Sequence, residues 1–148
     1  MYTEQLSQAL SVAGTPIHAQ TLNNASTQTG AVDMQKFHRA LFLLDVGTSG
    51  SGFSVTAKLQ ESADNSTWFD LAGSTVTAVV ATSKVVTLEA RADQLTSTVS
   101  PARRYLRCVV SETAGQAVVV CVLPLGGEGV QKPASLNDNV SVAQRLVM

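Results

Sequence analysis

Phe53-Ser54-Val55-Thr56-Ala57-Lys58-Leu59-Gln60 alternates apolar and polar residues without a break. A period of two marks a strand with one dry face, so Phe53, Val55, Ala57 and Leu59 are predicted inward and Ser54, Thr56, Lys58 and Gln60 outward. Both ends are punctuated. Gly47-Thr48-Ser49-Gly50-Ser51-Gly52 supplies a flexible turn before the stretch. Asp64-Asn65-Ser66 follows it, with short polar side chains that bond their own backbone.

Further strands are read on either side. Arg39-Ala40-Leu41-Phe42-Leu43-Leu44-Asp45-Val46 is nearly all apolar and is expected to be covered on both faces. Thr67-Trp68-Phe69-Asp70-Leu71 reads as a short strand, and 75–80, 85–90, 103–111 and 116–123 as four more. Strands at about ten-residue spacing with turn signals between them predict an all-β fold. The expectation is one antiparallel β-sandwich, jelly-roll-like, or a small barrel. The last two strands read as a hairpin over Thr113-Ala114-Gly115, which sets Cys108 opposite Cys121 on a buried face. Two reduced core cysteines are expected there, with a cross-strand disulfide formed after cell lysis as the alternative.

Composition agrees with strands. Val, Ser and Thr form about a third of the chain, and Ile17 is the only isoleucine. A length of 148 residues corresponds to one domain with a real core. Charged residues make up 14%, against roughly 25% in typical soluble domains, and the net charge is −1. Such a surface has no field to steer nucleic acid, and it suits a protein held within an assembly. The opening Met1-Tyr2-Thr3-Glu4 carries an acid with no apolar run after it, so no signal peptide is expected. The apolar stretch 117–125 is about half of what a membrane-spanning helix needs. An intracellular origin and no membrane partner are the expectation.

The ends read differently from the middle. Residues 1–36 are polar and weakly patterned, with one or two helical turns at 4–10, then Pro16 and an Asn/Ser/Thr run. They are predicted as an extended N-terminal arm, with the domain over 37–125. Gly126-Gly127-Glu128-Gly129 and Lys132-Pro133 break regular structure, so 126–148 is predicted as a C-terminal arm whose segment 140–147 suits docking as a strand on a neighbour. If the arms carry binding, removing residues 1–30 should leave a folded domain.

Catalytic and cofactor motifs are sparse. His18 and His38 stand some twenty residues apart with no zinc-ligand spacing. The glycine-rich 126–129 run lacks the Lys and Ser/Thr of a phosphate cradle. Glu61, Asp64 and Asp70 surround the Trp68 turn without the alternate-acid spacing of a calcium loop, and read as a polar turn. No cofactor, metal or enzymatic activity is expected. Arg103 and Arg107 are predicted to share a strand face with Tyr105 between them. That arrangement suggests a nucleic-acid stacking surface, but one cluster with a net charge of −1 favours ion pairs across an interface, to Glu89, Asp93 or a partner's acids. Trp68 reads as core or interface, with a carbohydrate platform built with Phe69 and Tyr105 as the alternative. The candidate interface residues are therefore Arg103, Arg107, Trp68 and Tyr105.

Ala57-Lys58-Leu59-Gln60-Glu61-Ser62-Ala63-Asp64-Asn65-Ser66-Thr67-Trp68-Phe69-Asp70-Leu71, with 72–77 after it and 89–95 running into Arg103-Arg104-Tyr105-Leu106-Arg107, resembles a group of small tailed-bacteriophage proteins encoded near capsid genes. The group shows a K-L-Q-E-S-x-D-x-x-T-W-x-D strand-turn-strand ahead of an R-Y-(L/V)-R strand. The match covers roughly residues 38–123 and leaves out both ends. The resemblance implies a virion structural protein, a cement or decoration protein on the capsid exterior, made in the host bacterial cytoplasm. It also implies the major capsid protein as partner and a homotrimer as the binding form. A tail or head–tail connector component is the alternative within the same class, and a small carbohydrate-binding module lies outside it.

Overall fold

In the computed structural model, which describes residues 5–81, 84–130 and 141–144, the alternating stretch forms strand β6 (Val55–Ser62). Val55, Ala57 and Leu59 are buried, while Thr56, Lys58 and Gln60 are half-buried on the other side. Phe53 is buried just ahead of the strand. The other strands are β1 (Leu10–Val12), β2 (Ile17–Leu22), β3 (Ser26–Gln28), β4 (Val32–Asp33), β5 (Phe37–Ser49), β7 (Phe69–Asp70), β8 (Val76–Val79), β9 (Lys84–Arg91), β10 (Tyr105–Glu112) and β11 (Val118–Gly129). One helical turn, α1 (Leu6–Ala9), precedes them.

Two antiparallel sheets pack face to face as a β-sandwich. Sheet A runs β1-β11-β5-β9, with β2 pairing β11 alongside β1. Sheet B runs β3-β10-β6-β7, with β4 also on β10 and β8 also on β6. The core between them is filled by Phe37, Phe42, Leu44 and Val46 of β5, Leu59 of β6, Leu106 and Val110 of β10, and Val118, Val120 and Val122 of β11. The expectation that β5 is covered on both faces holds for one. Leu41 and Leu43 lie half-buried on the outer face of sheet A, and Asp45 there is exposed.

Three further expectations about the fold are corrected. Residues 10–33 are not an extended arm: β1 and β2 pair with β11, and β3 and β4 pair with β10. Ala13, Ile17, Leu22 and Val32 from this stretch enter the core. The boundary at 37 therefore cuts through the packed unit. At the other end, Gly126 and Gly127 do not break β11. A Cβ at Gly126 would meet the buried Phe37 ring at 2.5 Å, so glycine there makes room for that ring. The expected strand over 140–147 lies mostly outside the described residues; within it, the Ser141 hydroxyl donates to the Gly14 carbonyl oxygen at 2.8 Å.

The third correction concerns the expected hairpin. β10 and β11 belong to different sheets, so the chain crosses the sandwich at 113–117 instead of doubling back. Cys108 points into the core from sheet B, and Cys121 stands at an outward position of sheet A opposite Asp45. Both are free thiols. Burial pushes the Cys108 thiol up to about 12, which leaves it without thiolate character at neutral pH. Under native alkylation Cys121 is expected to label ahead of Cys108, with two adducts after denaturation. A mass two hydrogens short with no adduct would overturn the separation.

The crossing is fixed by a carboxylate. Glu112, buried at the end of β10, accepts the backbone N–H groups of Asn24 (2.7 Å), Ala114 (2.7 Å), Gly115 (3.0 Å) and Ser54 (3.4 Å). Three connections converge on one side chain. Burial pushes the carboxyl up, but the hydrogen bonds from Asn24, Ala114 and Ser54 outweigh it and bring the group from its usual 4.5 down to about 2. A folded-state value below the unfolded one means stability that is present above pH 4.5 and is lost as pH falls towards 2. Replacing Glu112 with Gln is expected to lower Tm at pH 7 and to flatten its decline between pH 5 and 2. Parallel Tm–pH curves for the two proteins would remove Glu112 as the cause.

Candidate interaction surface

The alternation that buries Leu59 and Cys108 turns the neighbouring residues to the outer face of sheet B. In the β6–β10 register Gln60 stands opposite Arg107 and Ser62 opposite Tyr105, while Gln60 stands opposite Asp70 of β7. A chain of bonds runs along these positions. Lys58 Nζ donates to Asp70 Oδ2 at 2.7 Å, and Gln60 Nε2 donates to Asp70 Oδ1 at 2.8 Å. Arg107 then donates from Nε (3.0 Å) and Nη2 (2.7 Å) to Gln60 Oε1. The bonds from Lys58 and Gln60 hold the Asp70 carboxyl below the usual carboxylate range.

The turn before β7 brings Trp68 to this network. Asp64 Oδ1 accepts the N–H groups of Ser66 (2.9 Å) and Thr67 (2.8 Å), and Asn65 adopts φ 59°, so the expected turn chemistry is present. The Thr67 N–H, followed by Ser66 and Ser62, holds the Asp64 carboxyl well below its ordinary range. Trp68 emerges with its ring 4.1 Å from the Arg107 guanidinium. Burial shifts Arg107 towards the neutral form, but an arginine stays charged at any working pH.

Arg103 and Arg107 do not share the face as expected, because β10 begins only at Tyr105. Arg103 precedes the strand and reaches the end of the sandwich. Its Nη1 donates to Glu61 Oε1 at 2.8 Å, and its guanidinium lies 3.8 Å from the Phe69 ring. Glu61 is 2% exposed and also accepts the Thr96 N–H (2.8 Å) and hydroxyl (2.6 Å). Arg104 pairs with Asp33 of β4, which raises its affinity for the proton, and lies 4.8 Å from the Tyr105 ring. Of the acids expected to serve these arginines, Asp93 pairs with Arg91. Arg103 is thus satisfied within its own chain, and Trp68 and Tyr105 each have an arginine of the chain against the ring.

Glu61, Gln60 and Thr96 were not anticipated as site residues. Parity carried a signal for Glu61: it continues the inward series 55, 57, 59, and an inward carboxylate requires a buried partner. Glu61, Asp64 and Asp70 point to three different partners, and among the described residues no group of three or more His, Cys, Asp or Glu side chains is placed to hold a metal ion. Beside this network Phe69, Val99, Pro101, Arg103, Asp64 and Thr67 border an open cavity of about 310 Å³.

Compared with known proteins, the chain matches no family model and no curated protein. Geometry alone therefore defines the surface. It is a braced strip of stacked arginine and aromatic side chains, with shapes set by hydrogen bonds within the chain. Planar stacked groups of this kind, held rigid, are what interface anchors are made of.

Proposed function

We propose that the chain is a bacteriophage virion structural protein that acts without catalysis, binding the shell of major capsid protein from outside and stabilising the head as a homotrimeric cement. One observation carries the reading. The stretches 57–71 and 103–107, which bear the resemblance, meet at sheet B, where Gln60 bonds Asp70 and Arg107 across strands and Arg103 bonds Glu61 just ahead of β10. A rigid strip of that kind supports the reading of a contact surface. The charged fraction of 14% supports it, because a weakly charged surface is economically desolvated against neighbours.

Sedimentation with purified capsids tests it. Particles assembled without the protein are expected to carry it down and then to release DNA at a higher temperature. Electron microscopy should show added density on the capsid exterior. Protein left in the supernatant, or density confined to the tail or connector, would overturn the reading.

A further inference from the structure

The two outer faces differ in which charges are matched. Among the described residues Arg39, Arg91, Arg103 and Arg104 each pair with a carboxylate of the chain. Arg107 does not: its hydrogen bonds go to the neutral Gln60 amide, and Trp68 covers its ring-facing side. The bonds occupy the Nε–Nη2 edge of the guanidinium. The edge carrying Nη1 remains open, and its geometry suits a bidentate carboxylate.

Sheet A offers the complement. Glu89, on edge strand β9, is exposed and pairs with no Lys or Arg among the described residues. The register sets Glu89 opposite Leu41, Leu41 opposite Leu125, and Leu125 opposite Val12. One cross-strand row thus presents an acid beside three half-buried apolar side chains. On sheet B a cation sits beside an indole.

We propose that the chain associates head to tail with a second copy of itself. Arg107 of one copy grips Glu89 of the next, and Trp68 lies over the Leu41–Leu125 row. The matched groups occupy opposite outer faces of the sandwich, so the contact is heterologous and cannot be a two-fold one. Each copy keeps one face of each kind for its next neighbours, and repetition closes a ring or extends a chain. An aromatic and an arginine seated on leucines beside an acid form the energetic centre, because the ion pair forms where indole and leucines exclude water. The inference deepens the reading of an assembly protein, and it is tested on the purified full chain alone.

Size-exclusion chromatography with light scattering, across concentration and salt, measures the association. The natural chain is expected to be oligomeric at low salt and weaker at high salt. Arg107→Glu and Glu89→Arg, each alone, should weaken association at least tenfold, and the two together should restore it. Circular dichroism melts confirm that each variant is folded. Trp68, the only tryptophan, should show a shifted emission on association that both single variants lose. A monomeric natural chain, an oligomer indifferent to both reversals, or a double variant that does not recover would each overturn the proposal. A monomer that still binds capsids would leave the capsid reading standing, and an oligomer that does not bind them would leave only this one.

Discussion

A chain that starts at residue 31 is expected not to fold. Its loss removes β1, β2 and β3, and with them the core side chains Ala13, Ile17 and Leu22. Emptying buried leucine or isoleucine sites costs about 2–5 kcal/mol each. Two such sites approach the whole net stability of an ordinary domain, about 5–15 kcal/mol. The truncation also strips β11 of its partners on the side away from β5 and β10 of β3 on the side away from β6, which exposes paired backbone as raw edges. Circular dichroism should show no cooperative melt, and the protein should aggregate. A sharp transition near that of the full chain would mean that residues 1–30 are an appendage after all. Loss of capsid binding by this truncation would therefore say nothing about where the binding surface lies.

Glu61→Ala is the second large effect. It leaves the Arg103 guanidinium, 14% exposed, without its carboxylate, and leaves the Thr96 N–H without an acceptor. Breaking a buried pair from one side costs about 3–5 kcal/mol. For a domain of this size that lowers Tm on the order of 10 °C. Glu61→Gln keeps the shape and an acceptor oxygen, so it should lose less. Lys58→Ala, which removes an exposed pair with Asp70, should cost under about 1 kcal/mol. Equal melts for Lys58→Ala and Glu61→Ala would show that burial does not decide the strength of these pairs.

The readable parts of this fold share a cause. β6 declares itself because one face is dry and the other wet, and the same parity sets Gln60 opposite Arg107. β2 gives no such pattern: of its six residues only Ile17 and Leu22 are buried, and the four between them face water. An edge strand with two anchors looks like an arm in sequence. Residues 105–123 misled for another reason. Both strands alternate, and a short turn between alternating strands ordinarily makes a hairpin. Here Glu112 takes up the N–H groups of the turn and directs the chain to the opposite sheet. Glycine misled at 126, where close approach to Phe37 and a strand break read alike in one letter. For the surface, Trp68, Tyr105 and Arg107 stood out by type, whereas the partner of Arg103 depended on a fold not yet known.

The pairing of Leu10 with Gly127 has a consequence in time. β1 and β2 leave the ribosome well before β11, their strand partner among the described residues. At roughly 5–20 residues per second of synthesis, residues 10–22 wait on the order of ten seconds for it. Until then neither sheet A nor the core can close, since β11 stands between β5 and the first strands. A leading segment with few apolar side chains is safe to leave in water for that interval. The polar composition that disguises β2 as an arm thus keeps the unfinished chain soluble while it waits for β11.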